Sequence, residues 1–159
     1  SGTIFYSFLR NNSHEKQDIL FLNQKVPVAK EISGTWKMHG KNLHGTARGF
    51  REAQITWPIP SKPFRLSIEF LLESIHSTPR PGSKLEILIQ CKEKEYRIAF
   101  SPKSSKQYFT IEGNGKEIFF FGMEPPLPIM TKRAKENALL SLILKSAKIE
   151  IQHMQWSKK

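Results

Sequence analysis

Paired carboxylates are the simplest acid–base machinery a chain can carry, one group donating a proton while the other acts as base or nucleophile. This chain offers two pairs, Glu69 with Glu73 and Glu93 with Glu95. On an unbroken strand Glu69 and Glu73 share one face, because side chains alternate with a period of two. The same-face position between them is Leu71, so no further acid completes a cluster there. Glu93 and Glu95 stand in the run KEKE and read as the polar tip of a hairpin. These acids read as solvated surface residues, and no catalytic residue is assigned.

Metal chemistry has as little to work with. The histidines are His14, His39, His44, His76 and His153. His39 and His44 flank Gly40, but no carboxylate or further histidine stands close to them in sequence. Asp18 is the only aspartate, which excludes an Asp-rich calcium cluster. Cys91 is the only cysteine, so an internal disulfide and a cysteine zinc site are both excluded. No nucleophile elbow, phosphate loop or dinucleotide fingerprint is present. Gly113-Asn114-Gly115 is a hairpin turn with no helical pattern behind it. Neither metal nor cofactor is expected.

What remains is a polar and aromatic set. His39, His44, Arg48, Arg51, Gln54, Trp57, Gln90 and Arg97 are expected to line one sheet face as a ligand site. Aromatic rings with planar hydrogen-bonding neighbours suit sugars, whose rings have an apolar face edged by hydroxyls. The competing reading places Trp36, Trp57 and Trp156 in core or edge packing.

These residues need strands to position them. In FRLSIEFLLE, residues 64–73, Leu66, Ile68 and Phe70 alternate with Arg65, Ser67 and Glu69, the mark of a half-buried antiparallel strand. Leu85, Ile87 and Ile89 repeat the pattern, as do Tyr96, Ile98 and Phe100, then YFTIE and EIFFF, and finally Ile149 and Ile151. GTWKMHGKNLHG, residues 34–45, reads as strand, glycine turn and strand with Trp36 as an anchor. Residues 4–9 and 19–23 read as two further strands. A strand over residues 53–57 is expected to leave its sheet at Pro58 and Pro60. Residues 122–130, with three prolines, are expected to be irregular. Residues 138–146 fit either period and are read as strand, after a helical turn near 132–137. Roughly ten to twelve strands with little or no helix make an all-β antiparallel sandwich.

The 159 residues suit one domain, and 38% hydrophobic content with 11 Phe supports a packed aromatic interior. No apolar run is long enough to span a bilayer as a helix, and no secretion signal is visible. A start at Ser-Gly suggests a domain cut from a longer protein. The net charge of +11 leaves open an electrostatic partner such as nucleic acid or an anionic polymer. Against that, the basic residues are scattered and mostly lysine, whereas base and phosphate forks favour arginine.

The order of these features resembles the concanavalin A-like, laminin-G-like jelly rolls. More narrowly it is similar to the bacterial 3-keto-disaccharide hydrolase-type domains. A phrase of the form W-x-x-x-x-G-x-L-x-G falls on Trp36, Lys41, Leu43 and Gly45 with a loosened turn. F-x-L-x-x-E-F falls on Phe64, Leu66, Glu69 and Phe70, and I-x-I-x-x-I-x-W on Ile149, Ile151, Met154 and Trp156. The resemblance spans residues 19–157. It implies a jelly roll, and a glycoside-acting hydrolase as one function. It also implies an appended module of a bacterial envelope or signalling protein, serine/threonine kinases among them. Because the residues show no acid–base pair, the expectation is a non-catalytic module that binds a glycan or a protein partner through one sheet face. A glycoside hydrolase and an electrostatic binder of polyanions are the alternatives.

Overall fold

Burial along Phe64–Ser74 alternates as the sequence requires. Phe64, Leu66, Ile68, Phe70 and Leu72 are sealed, while Arg65, Ser67, Glu69, Leu71 and Glu73 reach solvent. The structure is a computed structural model that describes residues 27–48, 51–76, 82–91, 94–115, 117–122, 127–130 and 138–158, those at 127–130 by backbone alone. The expected strands at 4–9 and 19–23 and the helical turn near 132–137 lie outside the described residues.

Twelve strands are present among the described residues. They are β1 Lys30–Ser33, β2 Thr35–His39, β3 Asn42–Thr46, β4 Glu52–Ile59, β5 Phe64–Ser74 and β6 Lys84–Cys91, followed by β7 Lys94–Phe100, β8 Gln107–Gly113, β9 Ile118–Phe121, β10 Leu127–Met130, β11 Ala138–Lys145 and β12 Ala147–Lys158. They form a five-stranded sheet, β1-β4-β11-β6-β7, and a seven-stranded sheet, β10-β9-β8-β5-β12-β3-β2. Every pairing is antiparallel. The fold is an all-β sandwich of the concanavalin-like kind.

The core lies between the sheets. Ile55, Trp57, Ile87 and Leu142 enter it from one side, and Leu43, Phe70, Ile111 and Ile151 from the other. Phe70, Phe100, Phe109 and Phe120 make a ring cluster, with Phe109 and Phe120 stacked at 5.4 Å. Each fully buried side chain of this size contributes about 1.5–3 kcal/mol. Trp156 sits at 5.8 Å from Phe64.

Two expectations about proline are corrected. β4 continues through Pro58 to Ile59, and Pro58 stands in register with Leu139 of β11. The neighbour on the other side, β1, pairs only as far as Thr56. Among the described residues no strand pairs Pro58 on that side, so its missing N–H costs no ladder bond there. Residues 127–130 are likewise a strand rather than an irregular loop, and β10 with its Pro128 is the outermost strand of the seven-stranded sheet.

Two glycines explain the hairpin at residues 34–45. Gly34 has φ +80, and a Cβ there would fall 2.2 Å from Ala53 Cβ. Gly45 is the cross-strand partner of Trp36 and leaves room for its ring, since a Cβ would lie 2.3 Å from Trp36 Cζ3. The indole N–H of Trp36 donates to the Ser33 carbonyl at 2.9 Å. Gly45→Ala should therefore cost about 1–3 kcal/mol by overpacking. Urea denaturation should show the midpoint falling with an unchanged slope.

Candidate functional site

The eight sequence-derived site residues do not converge on one face. Trp57 points inward from β4 and has 0% exposed surface, so it is a core residue and not a platform. Gln54, Gln90 and Arg97 lie on the outward side of the five-stranded sheet, on β4, β6 and β7. His39 and His44 lie on the outward side of the seven-stranded sheet, on β2 and β3. Arg48 and Arg51 lie in the connection between β3 and β4, where the Arg51 N–H donates to the Arg48 carbonyl at 3.2 Å. The reason is topological: β3 and β4 are consecutive in sequence but belong to different sheets.

On the five-stranded sheet the polar side chains bind one another. Gln54 Nε2 donates to Ser141 Oγ at 3.2 Å, and the hydroxyls of Ser141 and Thr56 meet at 2.8 Å. Gln90 donates to Glu95, and Arg97 reaches both Glu86 and Glu95. Glu86 is only 7% exposed and takes Lys145 Nζ at 3.0 Å, Arg97 Nη1 at 3.3 Å and Lys84 Nζ at 3.6 Å. Burial pushes its carboxyl up. The Lys145 hydrogen bond and the charges of Lys145, Lys84 and Arg97 outweigh that and hold it below the usual carboxylate range. The hydrogen bond to Glu86 in turn raises Lys145 above the usual lysine value, against the opposing effect of burial.

The seven-stranded sheet presents a different surface. A groove of about 210 Å³ opens on its outward side, lined by His44, Thr46, Leu71, Glu73, Lys148 and Glu150. Glu150 Oε1 accepts from His44 Nε2 and from Asn42 Nδ2, each at 3.2 Å, and Glu150 Oε2 accepts from Gln152 Nε2 at 3.0 Å. The rings of His39 and His44 lie 4.4 Å apart. Glu69 and Glu73 do share this face, as the strand period requires, but each is held by a cation, Lys106 at 3.2 Å and Lys148 at 3.3 Å. Among the described residues no group of three or more His, Cys, Asp or Glu could hold a metal ion.

Among the described residues positive charge is not concentrated on this face. Among the described residues Lys37, Arg65, Lys106 and Lys148 stand against Glu69, Glu73, Glu112 and Glu150 on its outward side. Arg48, Arg51, Lys62 and Lys103 lie instead in connections. The groove residues Leu71, Lys148 and Glu150, and the exposed Tyr108, were not among the eight expected from sequence. Their signal was the outward phase of the alternation in β5, β8 and β12. That phase becomes a surface only once the strand order is known.

The Glu86 cluster yields a pH prediction. A depressed carboxylate stabilises the fold above its unfolded-state value, and that contribution disappears as pH falls through the lower folded value. A raised lysine contributes below its unfolded-state value and is lost as pH rises through the higher folded one. Glu86→Gln should lower stability at neutral pH by about 1–3 kcal/mol, by removing the nearly buried carboxylate that Lys145 and Arg97 share and leaving them only the more exposed Glu52 and Glu95. Thermal melts of the variant should also show a weaker loss of stability in the acid range below the ordinary carboxylate value.

No family model and no curated protein sequence matches the chain. Solved structures do share its architecture. A carbohydrate binding module, CBM66 from Bacillus subtilis, superposes with a TM-score of 0.53 at 11% identity, over 82% of this chain and 95% of that one. The metal-free form of lectin I-B4 from Griffonia simplicifolia superposes with a TM-score of 0.52 at 9% identity, over 82% of this chain and 93% of that one. At such identities the likeness is one of fold, and it places the chain among the concanavalin-like sandwiches.

Proposed function

We propose that the chain is a non-catalytic recognition module that binds an uncharged glycan on the outward side of its seven-stranded sheet. The observation that carries this reading is the groove around Leu71, where an apolar floor is edged by His44, Thr46, Glu73, Lys148 and Glu150 on a charge-balanced face. Carboxylates, imidazoles and ammonium groups hydrogen-bond sugar hydroxyls, and an apolar floor suits the C–H face of a sugar ring. The two solved relatives, a carbohydrate binding module and a lectin, support the reading by using the same fold. In this reading His39 and His44 belong to the binding surface, and Gln54, Gln90 and Arg97 belong to the opposite face. The chain works as an appended domain of a larger envelope or signalling protein.

Two observations bear on the alternatives. Glu73 and Glu150 line one groove, and a 3-keto-disaccharide hydrolase-type or other glycoside-acting enzyme would need such a pair of acids. Each is engaged by partners, Lys148 for Glu73 and the donors His44, Asn42 and Gln152 for Glu150, which fits recognition better than proton transfer. The balanced charge of the face speaks against polyanion capture there.

A screen of neutral and acidic polysaccharides by thermal shift tests the reading. A neutral glycan should stabilise the protein to a similar extent at low and high salt. Lys148→Ala and Glu150→Gln should each weaken that binding about tenfold, while Gln54→Ala and Gln90→Ala leave it intact. Stabilisation only by polyanions and only at low salt would replace this function with the electrostatic one. Release of product from a bound glycan would replace it with catalysis.

A further inference from the structure

The strand registers place a second feature on the same outward side. Phe121 of β9 stands opposite Thr110 of β8, and Tyr108 lies two residues back along β8. Tyr108 stands opposite Glu69 of β5, and Leu71 lies two residues further along β5. Leu71 stands opposite Glu150 of β12, with Lys148 two residues back along that strand. Each step from Phe121 to Tyr108 to Leu71 to Lys148 thus moves one strand across and two residues along. The residues form one diagonal, and its last two members line the groove.

Neighbours on such a diagonal lie about 7–8 Å apart, so the line from Phe121 to Lys148 is about 20 Å long. Its first three members are apolar or aromatic and outward-facing. Tyr108 is 75% exposed, the largest exposure of any big hydrophobic side chain among the described residues, and Phe121 and Leu71 are half-buried. The adjacent diagonal is polar beyond Phe119: Thr110 and Glu69 follow at the same spacing, and Glu150 comes next across the bulge between Ile151 and His153. An exposed aromatic ring in line with a groove and beside hydrogen-bonding groups is a recognition pattern.

We infer that the ligand is a linear chain of uncharged sugars lying along this diagonal. It enters the groove at Leu71 and Lys148 and stacks on Tyr108 and then Phe121, while Glu69 and Glu150 take hydroxyls along one edge. The inference rests on the glycan reading above and adds the chain length, its direction and the aromatic residues. A disaccharide fills the groove alone, and only a longer chain reaches Tyr108. A branched or compact glycan does not follow the line.

The test is calorimetric binding of an uncharged linear gluco-oligosaccharide ladder, from disaccharide to hexasaccharide, in each common β linkage. With the ladder that binds, affinity should rise by about tenfold once the chain reaches Tyr108 and level off beyond Phe121. Tyr108→Ala should remove that gain and leave the shortest binding member unchanged, and Tyr108→Phe should preserve the gain by keeping the ring. Tyr108 is exposed, so neither variant threatens the fold. Binding that is independent of length, or a Tyr108→Ala loss equal at every length, would overturn the diagonal while leaving the groove intact. Failure of every ladder to bind would overturn the diagonal, whereas the glycan reading falls only if no neutral polysaccharide stabilises the protein.

Discussion

The ladder between β5 and β12 is the constraint on which the rest of the structure depends. These are the two longest strands, and they pair from Ala147 with Ser74 to Lys158 with Phe64. Side chains alternate, so a slip of β12 by one residue along β5 would turn Ile149, Ile151, Met154 and Trp156 to solvent. That penalty pins the register. The same register then sets Glu73 against Lys148, Leu71 against Glu150 and Glu69 against His153. The groove is therefore a by-product of core packing: the residues that seal the interior decide which polar groups meet outside. The one irregularity, between Ile151 and His153, restores the phase of Met154 and Trp156 after Gln152.

The two outer faces use their charges differently. On the five-stranded sheet a nearly buried carboxylate gathers three cations, and glutamine, threonine and serine satisfy one another. Such a face is stable and has few polar groups left for a ligand. On the seven-stranded sheet the ion pairs are more exposed, each side chain keeps hydrogen-bonding capacity, and aromatic rings stand beside them. Exposed pairs of this kind contribute little to stability.

Much of the fold was legible because alternation is local. Phe64 to Leu72, Leu85 to Ile89 and Ile149 to Ile151 announce their faces by alternation alone. Pairing is not local, and this is where the sequence reading of the site broke. His44 and Gln54 are ten residues apart in the chain and look like neighbours on one face, yet the chain changes sheets between them. Trp57 illustrates the second difficulty, since a tryptophan serves as platform or core according to which way its strand faces. Pro58 and Pro128 mark the third: a proline ends pairing on one side of a strand only, and an edge has only one side to pair.

The central claim is that the ligand face is the outward side of the seven-stranded sheet. The most direct measurement is amide chemical-shift mapping by NMR while titrating the tightest-binding neutral oligosaccharide. The account predicts shifts at Thr46, Leu71, Tyr108, Lys148 and Glu150, with Thr56, Leu88, Gln90 and Arg97 unmoved. Shifts confined to the second set would contradict it and move the site to the opposite face of the sandwich.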